Sequence, residues 1–365
     1  MIYWIIALVL LLLTYASLYY KITNTDLNRQ FFIVISVFLI IFAATRDHIG
    51  VDFVSYENLY YSIRRLGDLR DLLSIYRTTN YEPLFVLTCI LSPSFHSFLF
   101  FMSILGVGIK CAVIWKYCTY KYALLLFYFC NIYLGYDMGV MRQGVAMSFM
   151  LVALFQLKNK KHSGFALATF ISVLFHSSGF LLVPLLLWEL LLNKQTIKWI
   201  ITGIAIVLSG INNFLPIIDK VANKFGIATV VFRLEVYKDV LNQGSYLSTS
   251  LRWLIVLLLL YVLYKQYCIT DDKSLFSLNA YWYGCIIAIL TRGIGFISGR
   301  GTVVFFYFSC FAIEDIIKTK KNKDFSVILL SVFVAYYIYQ MIQILPGSTG
   351  NNFQSYIPYS SWLFR

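Results

Sequence analysis

Charge is what this sequence has least of. Asp, Glu, Lys and Arg make up 13% of its 365 residues, hydrophobic residues 60%, and mean hydropathy is +0.74. A soluble domain carries about 25% charged and about 45–50% apolar residues. Too little polar surface is left to face water, which excludes a soluble enzyme, a classical DNA-binding domain and a secreted disulfide scaffold. There is no CxxC pair, zinc-ligand spacing, GxSxG, phosphate loop, dinucleotide fingerprint or acidic cluster that demands a divalent metal. The seven cysteines (89, 111, 118, 130, 268, 285, 310) fall mostly in apolar stretches and read as packing residues. Repeats, low-complexity tracts and Pro-rich linkers are also missing, so residues 1–365 read as one integral membrane domain.

What is present is a series of apolar runs. They lie at about 1–20, 31–45, 95–116, 122–137, 139–157, 163–178, 179–193, 197–214, 250–267, 276–298, 301–317 and 325–345. This predicts an all-α polytopic membrane protein with about twelve transmembrane helices. The first run has no basic n-region or convincing cleavage site and reads as a retained helix. Segment 81–93 is too short to cross and closes on Pro93. A re-entrant or interfacial half-helix on one face fits its length, and re-entrant backbone is tolerated only when buried in protein or lining a cavity. A cavity on that face is therefore expected.

The net charge of +13 must first be divided between the two sides of the membrane. Alternate short loops carry Lys21 and Arg29, Lys116 and Lys121, Lys158, Lys160 and Lys161, Lys194 and Lys198, Lys265 and Lys273, then Lys318, Lys320, Lys321 and Lys323. The positive-inside bias makes that side cytoplasmic and puts both termini outside. The outer side then holds the long connections 46–80 and 215–249, the tail 346–365, and eleven of the twelve arginines. Arginine offers a rigid fork of donors suited to carboxylate and phosphate. Ordinary salt bridging accounts for that segregation equally well, and no nucleic-acid partner is implied.

Five stretches carry the candidate chemistry. RDHIGVDFVSYENLYY at 46–61 brings Arg46, Asp52 and Tyr56 together; it reads as a solvated helix end or as a substrate-facing loop. Tyr81 and Glu82 open the dipping segment, where a carboxylate is either an arginine's partner or a reacting group. Arg142 and Gln143 sit at the outer start of a span, flanked by Gly139 and Gly144, and Arg142 either snorkels or binds a ligand. His176 ends another span, as a packing residue or a base, and Arg300 lies between glycines at a helix junction. Only Lys110 and Glu189 look placed well inside spans, so the chemistry is expected at one surface.

At these residues the chain resembles the EpsG-like branch of Wzy-type polysaccharide polymerases. The matching features are Arg46 with GVDFVSY, YEPLF at 81–85, MRQGVAMSF at 141–149, FHSSGFLLVPL at 175–185, Arg300, and YIPYSSWLF at 356–364. The resemblance implies a GT-C-like glycosyltransferase of the bacterial inner membrane that makes O-antigen, capsule or exopolysaccharide on its outer face. It implies an undecaprenyl-diphosphate-linked glycan as donor, a lipid-linked repeat unit as acceptor, membrane lipid around both, and room for a chain-length regulator protein. Neither a metal nor another cofactor is implied. Arg142 and Arg300, helped by Arg46, would hold the diphosphate, with Tyr56, Tyr81 and Gln143 lining the substrate site. His176, then Asp52, then Glu82 are the candidates for the base. The rival readings are a ligase using the same lipid donor, and a flippase for the lipid-linked unit.

Overall fold

A computed structural model describes residues 1–20, 26–79, 81–191, 195–210, 246–267, 272–292, 296–319, 322–346 and 356–364. The described chain is all-α. Four helical runs are long and apolar enough to span a bilayer: Ile2–Tyr19, Asp26–Ala44, Phe95–Tyr117 and Lys323–Ile344. Shorter apolar helices accompany them, among them His162–Phe175 and Leu275–Leu290. Large apolar side chains such as Leu8, Leu12, Val34, Phe38, Ile328 and Val332 stand exposed on the long helices. In water that surface would drive aggregation, whereas in lipid it is the natural boundary. The chain is a multi-pass membrane protein.

The described residues fall into two compact units. The first comprises Met1–Gly179 and Lys320–Arg365. It contains α1 (Ile2–Tyr20), α2 (Asp26–Ala44), α3 (Phe53–Leu66), α4 (Leu72–Thr79), α5 (Pro83–Leu91), α6 (Phe95–Ser103), α7 (Ile109–Tyr117), α8 (Lys121–Tyr128), α9 (Met141–Lys158) and α10 (His162–Phe175). The second unit, Phe180–Thr319, holds α11 (Val183–Leu191), α12 (Gln195–Gly210), α13 (Tyr246–Gln266), α14 (Asp272–Leu290) and α15 (Val303–Thr319). The chain then returns to the first unit with α16 (Lys323–Ile344). The expected loop 215–249 lies outside the described residues except for its last four, which already belong to α13.

Wide π-helical turns interrupt two of the runs in the first unit. Residues Ile104–Gly108 join α6 to α7, and Phe129–Asp137 extend α8. Between them passes α9, buried along most of its length and packed along α10. The run expected at 163–178 stops at Phe175, where His176 turns extended and Ser177–Leu182 form a 3₁₀ turn.

The connection 46–80 is wound into helices rather than left as a loop. In α3, Phe53, Tyr56, Tyr60 and Ile63 are buried while Val54, Asn58, Tyr61 and Arg65 face outward, the stripe of a surface helix. This face covers α5, and two of its polar ends close that helix. Tyr60 O–H donates to the Ser92 carbonyl (2.8 Å) and Arg64 Nη1 to the Ile90 carbonyl (2.8 Å). Cations and donors are favourable at a helix C-terminus, where the last carbonyls lack partners. At nine residues, α5 is about 13 Å long, under half of a bilayer's hydrocarbon thickness.

A second end is closed from far along the chain. The last carbonyls of α2 and the turn after it accept from Tyr359 O–H (Phe42, 2.8 Å), Arg46 Nη1 (Ala43), Trp362 Nε1 (Ala44, 3.2 Å) and Trp362 N–H (Thr45, 3.1 Å). Residues 356–364 are thus a strap over the end of α2. It is pinned by Tyr356 O–H on the Leu134 carbonyl (2.8 Å), by the Phe42–Tyr359 stack and by His96 against Trp362.

The loops around 46, 82, 94, 138, 176 and 360 meet at this end, while Asn28, Trp115 and Tyr122 meet at the other. If the lysine-rich loops face the cytoplasm, single-cysteine labelling in cells should reach position 70 from outside and position 160 only after permeabilisation. Labelling of position 160 in intact cells would invert the orientation.

Candidate functional site

The helix starts and ends gathered at this end of the first unit bring Glu82, Arg142 and the 176–178 turn together. Pro83 opens α5 with its fixed φ, so Glu82 stands at the N-cap position with its carboxylate pointing off the helix. Glu82 Oε2 accepts from Arg142 Nη1 (2.8 Å) and Oε1 from the Ser177 N–H (3.3 Å). The carboxylate is an arginine's partner, held from two sides.

Arg142 is in the first turn of α9, where the helix dipole adds positive potential. Its side chain is 19% exposed and its guanidinium lies over the rings of Tyr81 (4.8 Å), Phe85 (5.2 Å) and Tyr56 (6.0 Å). Its Nε has no hydrogen-bond partner among the described residues. A fork of five N–H donors, shared with Glu82 and the Tyr56 side chain, keeps others for an anionic oxygen. Beneath it, Phe53, Tyr56, Phe85, Phe98 and Phe175 form a rigid apolar floor.

Tyr56 O–H accepts from the Arg142 backbone N–H (3.4 Å). Burial pushes its phenol pKa up, Arg142 opposing and Asp52 adding to the rise, so the hydroxyl stays neutral. Asp52 itself is half-buried just before α3 and its side chain does not cap that helix. Its charge reaches the Tyr56 phenol, to whose raised pKa it adds.

His176 is half-buried. Its Nδ1 accepts from the Ser178 N–H (3.1 Å) and lies 3.0 Å from Ser178 Oγ. An imidazole nitrogen that accepts from a backbone amide carries no proton, so in the neutral ring the proton sits on Nε2.

The remaining candidates are placed differently. Gln143 is 2% exposed, turned into the bundle beside Arg142. Arg46 is completely buried under the strap, where Ser361 pairs with it and Asp47 N–H donates to the Ser360 carbonyl. There its Nη1 helps close α2, while its Nε and Nη2 have no hydrogen-bond partner among the described residues. Arg300 belongs to the second unit and is exposed in the turn Phe296–Gly301.

Sequence reasoning missed Asp137 altogether. It ends the second π-helical stretch, 2% exposed, and pairs with Lys110 (2.8 Å) inside the first unit. The lone acid in GYDMG, opposite a lone mid-span lysine, was the signal available.

Comparison with known proteins adds one finding. The family model described as the EpsG family matches residues 29–361, while neither curated proteins nor solved structures contain a match. That span takes in α2 through α16 and every residue of the Arg142 cluster. The chain belongs to the EpsG family, membrane proteins of polysaccharide biosynthesis.

Proposed function

We propose that this protein is a polymerase that joins undecaprenyl-diphosphate-linked oligosaccharide repeat units on the outer face of the bacterial cytoplasmic membrane. The observation that carries this reading is Arg142: a guanidinium at a helix N-terminus, framed by aromatic rings and braced by Glu82 through a single contact. In the reaction, a hydroxyl oxygen of the acceptor unit attacks the anomeric carbon of the donor glycan. The bond from that carbon to the diphosphate breaks, and its electron pair leaves with undecaprenyl diphosphate. Negative charge therefore grows on the bridging oxygen, where preorganised donors are most effective. Arg142 supplies them, and His176 Nε2–H adds a neutral donor from the adjoining turn. The hydroxyl's proton goes to Asp52, a carboxylate whose charge already reaches Tyr56. Tyr81, half-buried beside Arg142, presents a ring and hydroxyl suited to a sugar, and the buried Tyr56 supports them from below. A single displacement of this kind inverts the anomeric configuration.

A flippase would present cationic donors along a path through the membrane. The ammonium of Lys110, deep in the first unit, has given its three donors to Asp137 Oδ1 (2.8 Å), Gly144 O (2.7 Å) and Gly106 O (3.2 Å). None remains for a passing headgroup, which favours the polymerase. Deletion of the gene, followed by analysis of surface glycan, tests this. Single repeat units in place of polymer are expected. Polymer retained on the lipid carrier would instead indicate a ligase, and loss of all outer-face glycan a flippase.

A further inference from the structure

Two ionisable residues play no part in the chemistry above, yet burying them is costly unless every polar group is satisfied. Lys110, on α7, and Asp137, at the end of Phe129–Asp137, each have 2% of their side chain exposed. Their surroundings are complete. Asp137 Oδ1 takes the ammonium, and Oδ2 takes the Tyr128 O–H (2.6 Å). Ser148 O–H is placed against the same two carbonyls the ammonium uses, Gly106 (2.7 Å) and Gly144 (3.2 Å). Both of those glycines are required. A Cβ on Gly106 would stand 2.6 Å from Asp137 Oδ1, and one on Gly144 would stand 2.9 Å from both that oxygen and the Tyr136 carbonyl.

The position of this cluster is informative. Gly144 lies two residues beyond Arg142, and its N–H donates to the Val140 carbonyl (3.0 Å) in the opening turn of α9. Asp137 lies five residues before Arg142, across the sharp 138–140 connection. The ammonium therefore ties together the chain on both sides of Arg142, through Asp137 before it and the Gly144 carbonyl after it. Two π-helical stretches supply the geometry, since their wide turns free carbonyls such as Gly106 to accept from side chains.

We propose that Lys110 and Asp137 are positioning residues whose buried ion pair sets where Arg142 presents its guanidinium. This rests on the reading of Arg142 as the diphosphate contact. Arg142 is the only side chain of the cluster with a rigid fork, so a small rotation of the first turn misdirects it. Misplacement by about 1 Å can cost ~10²-fold in rate.

The test uses full-length protein in detergent or nanodiscs, with Lys110→Met and Asp137→Leu combined so that no lone charge is left buried. Three quantities are compared with wild type. Amide exchange should quicken over residues 140–146 while the rest of α9 keeps its protection. The rate at which phenylglyoxal modifies Arg142, followed by mass spectrometry, should change, which reads presentation without any turnover. With lipid-linked repeat units, kcat should fall by about 10- to 100-fold with KM little altered. Asp137→Glu keeps the charge but shifts it by one methylene, and should give the same kcat loss in a folded protein if the double variant does not fold. Unchanged exchange and unchanged Arg142 modification overturn the clamp. Loosened exchange with wild-type kcat overturns its positioning role. Failure of the wild type itself to polymerise would sink the polymerase reading alone, since exchange and modification still decide the clamp.

Discussion

Arg142→Ala is expected to lower polymer synthesis by about 10²–10³-fold, the usual loss when one donor to a developing anion is removed. Arg142→Lys should recover little of it. A lysine ammonium can reach toward Glu82, but it cannot hold that carboxylate and offer further donors in a fixed plane at once. It would also lie less well on the Tyr81 and Phe85 rings. Folding must be separated from chemistry, because alanine leaves the Glu82 carboxylate, 11% exposed, without its cation. The companion Arg142→Ala with Glu82→Gln removes both charges. It should restore protein levels and thermal stability without restoring activity. The measurement is polymer formed per unit of purified protein. Full turnover in both the Lys and Ala variants would remove Arg142 from the mechanism.

The apolar helices were legible because hydropathy is a local property, and each apolar run read from the sequence has a helix within it. Of the twelve spans expected, however, four are long and apolar enough to cross among the described residues. Asp26, at the N-terminus of α2, starts that helix before its apolar run begins. The break at His176 follows from the Ser-Ser-Gly sequence after it. The short α5 was also legible, from length and proline alone. The helices within 46–80 were not, since charged residues hide the helical spacing of Phe53, Tyr56, Tyr60 and Ile63 from any hydropathy average. What depends on distant parts of the chain was least legible. Nothing near Arg46 announces that residues 356–364 will cover it, and the pairing of Lys110 with Asp137 joins residues 27 apart. The meeting of Glu82, Arg142 and Ser177 was foreshadowed only by their placement at one end of successive spans. The tautomer of His176 depends on a backbone N–H two residues away and could be argued only once that contact was seen.

That contact motivates the last prediction, which concerns the base. His176 is the residue whose ordinary pKa suits proton transfer near neutrality. The Ser178 N–H on Nδ1 nonetheless makes its other nitrogen a donor. His176→Gln retains a side-chain N–H and should keep measurable turnover, reduced because the neutral donor is less well aimed. Asp52→Asn removes the proposed proton acceptor while keeping the size of the side chain. Loss of a positioned base costs about 10²–10⁴-fold. The Asn variant should therefore bind the lipid-linked unit as well as wild type and fail to extend it. Binding and extension are measured on the same purified preparations. If Asp52→Asn polymerises at the wild-type rate while His176→Gln binds and is inert, the proton goes to the imidazole after all. Ser178 must then release Nδ1 when substrate enters.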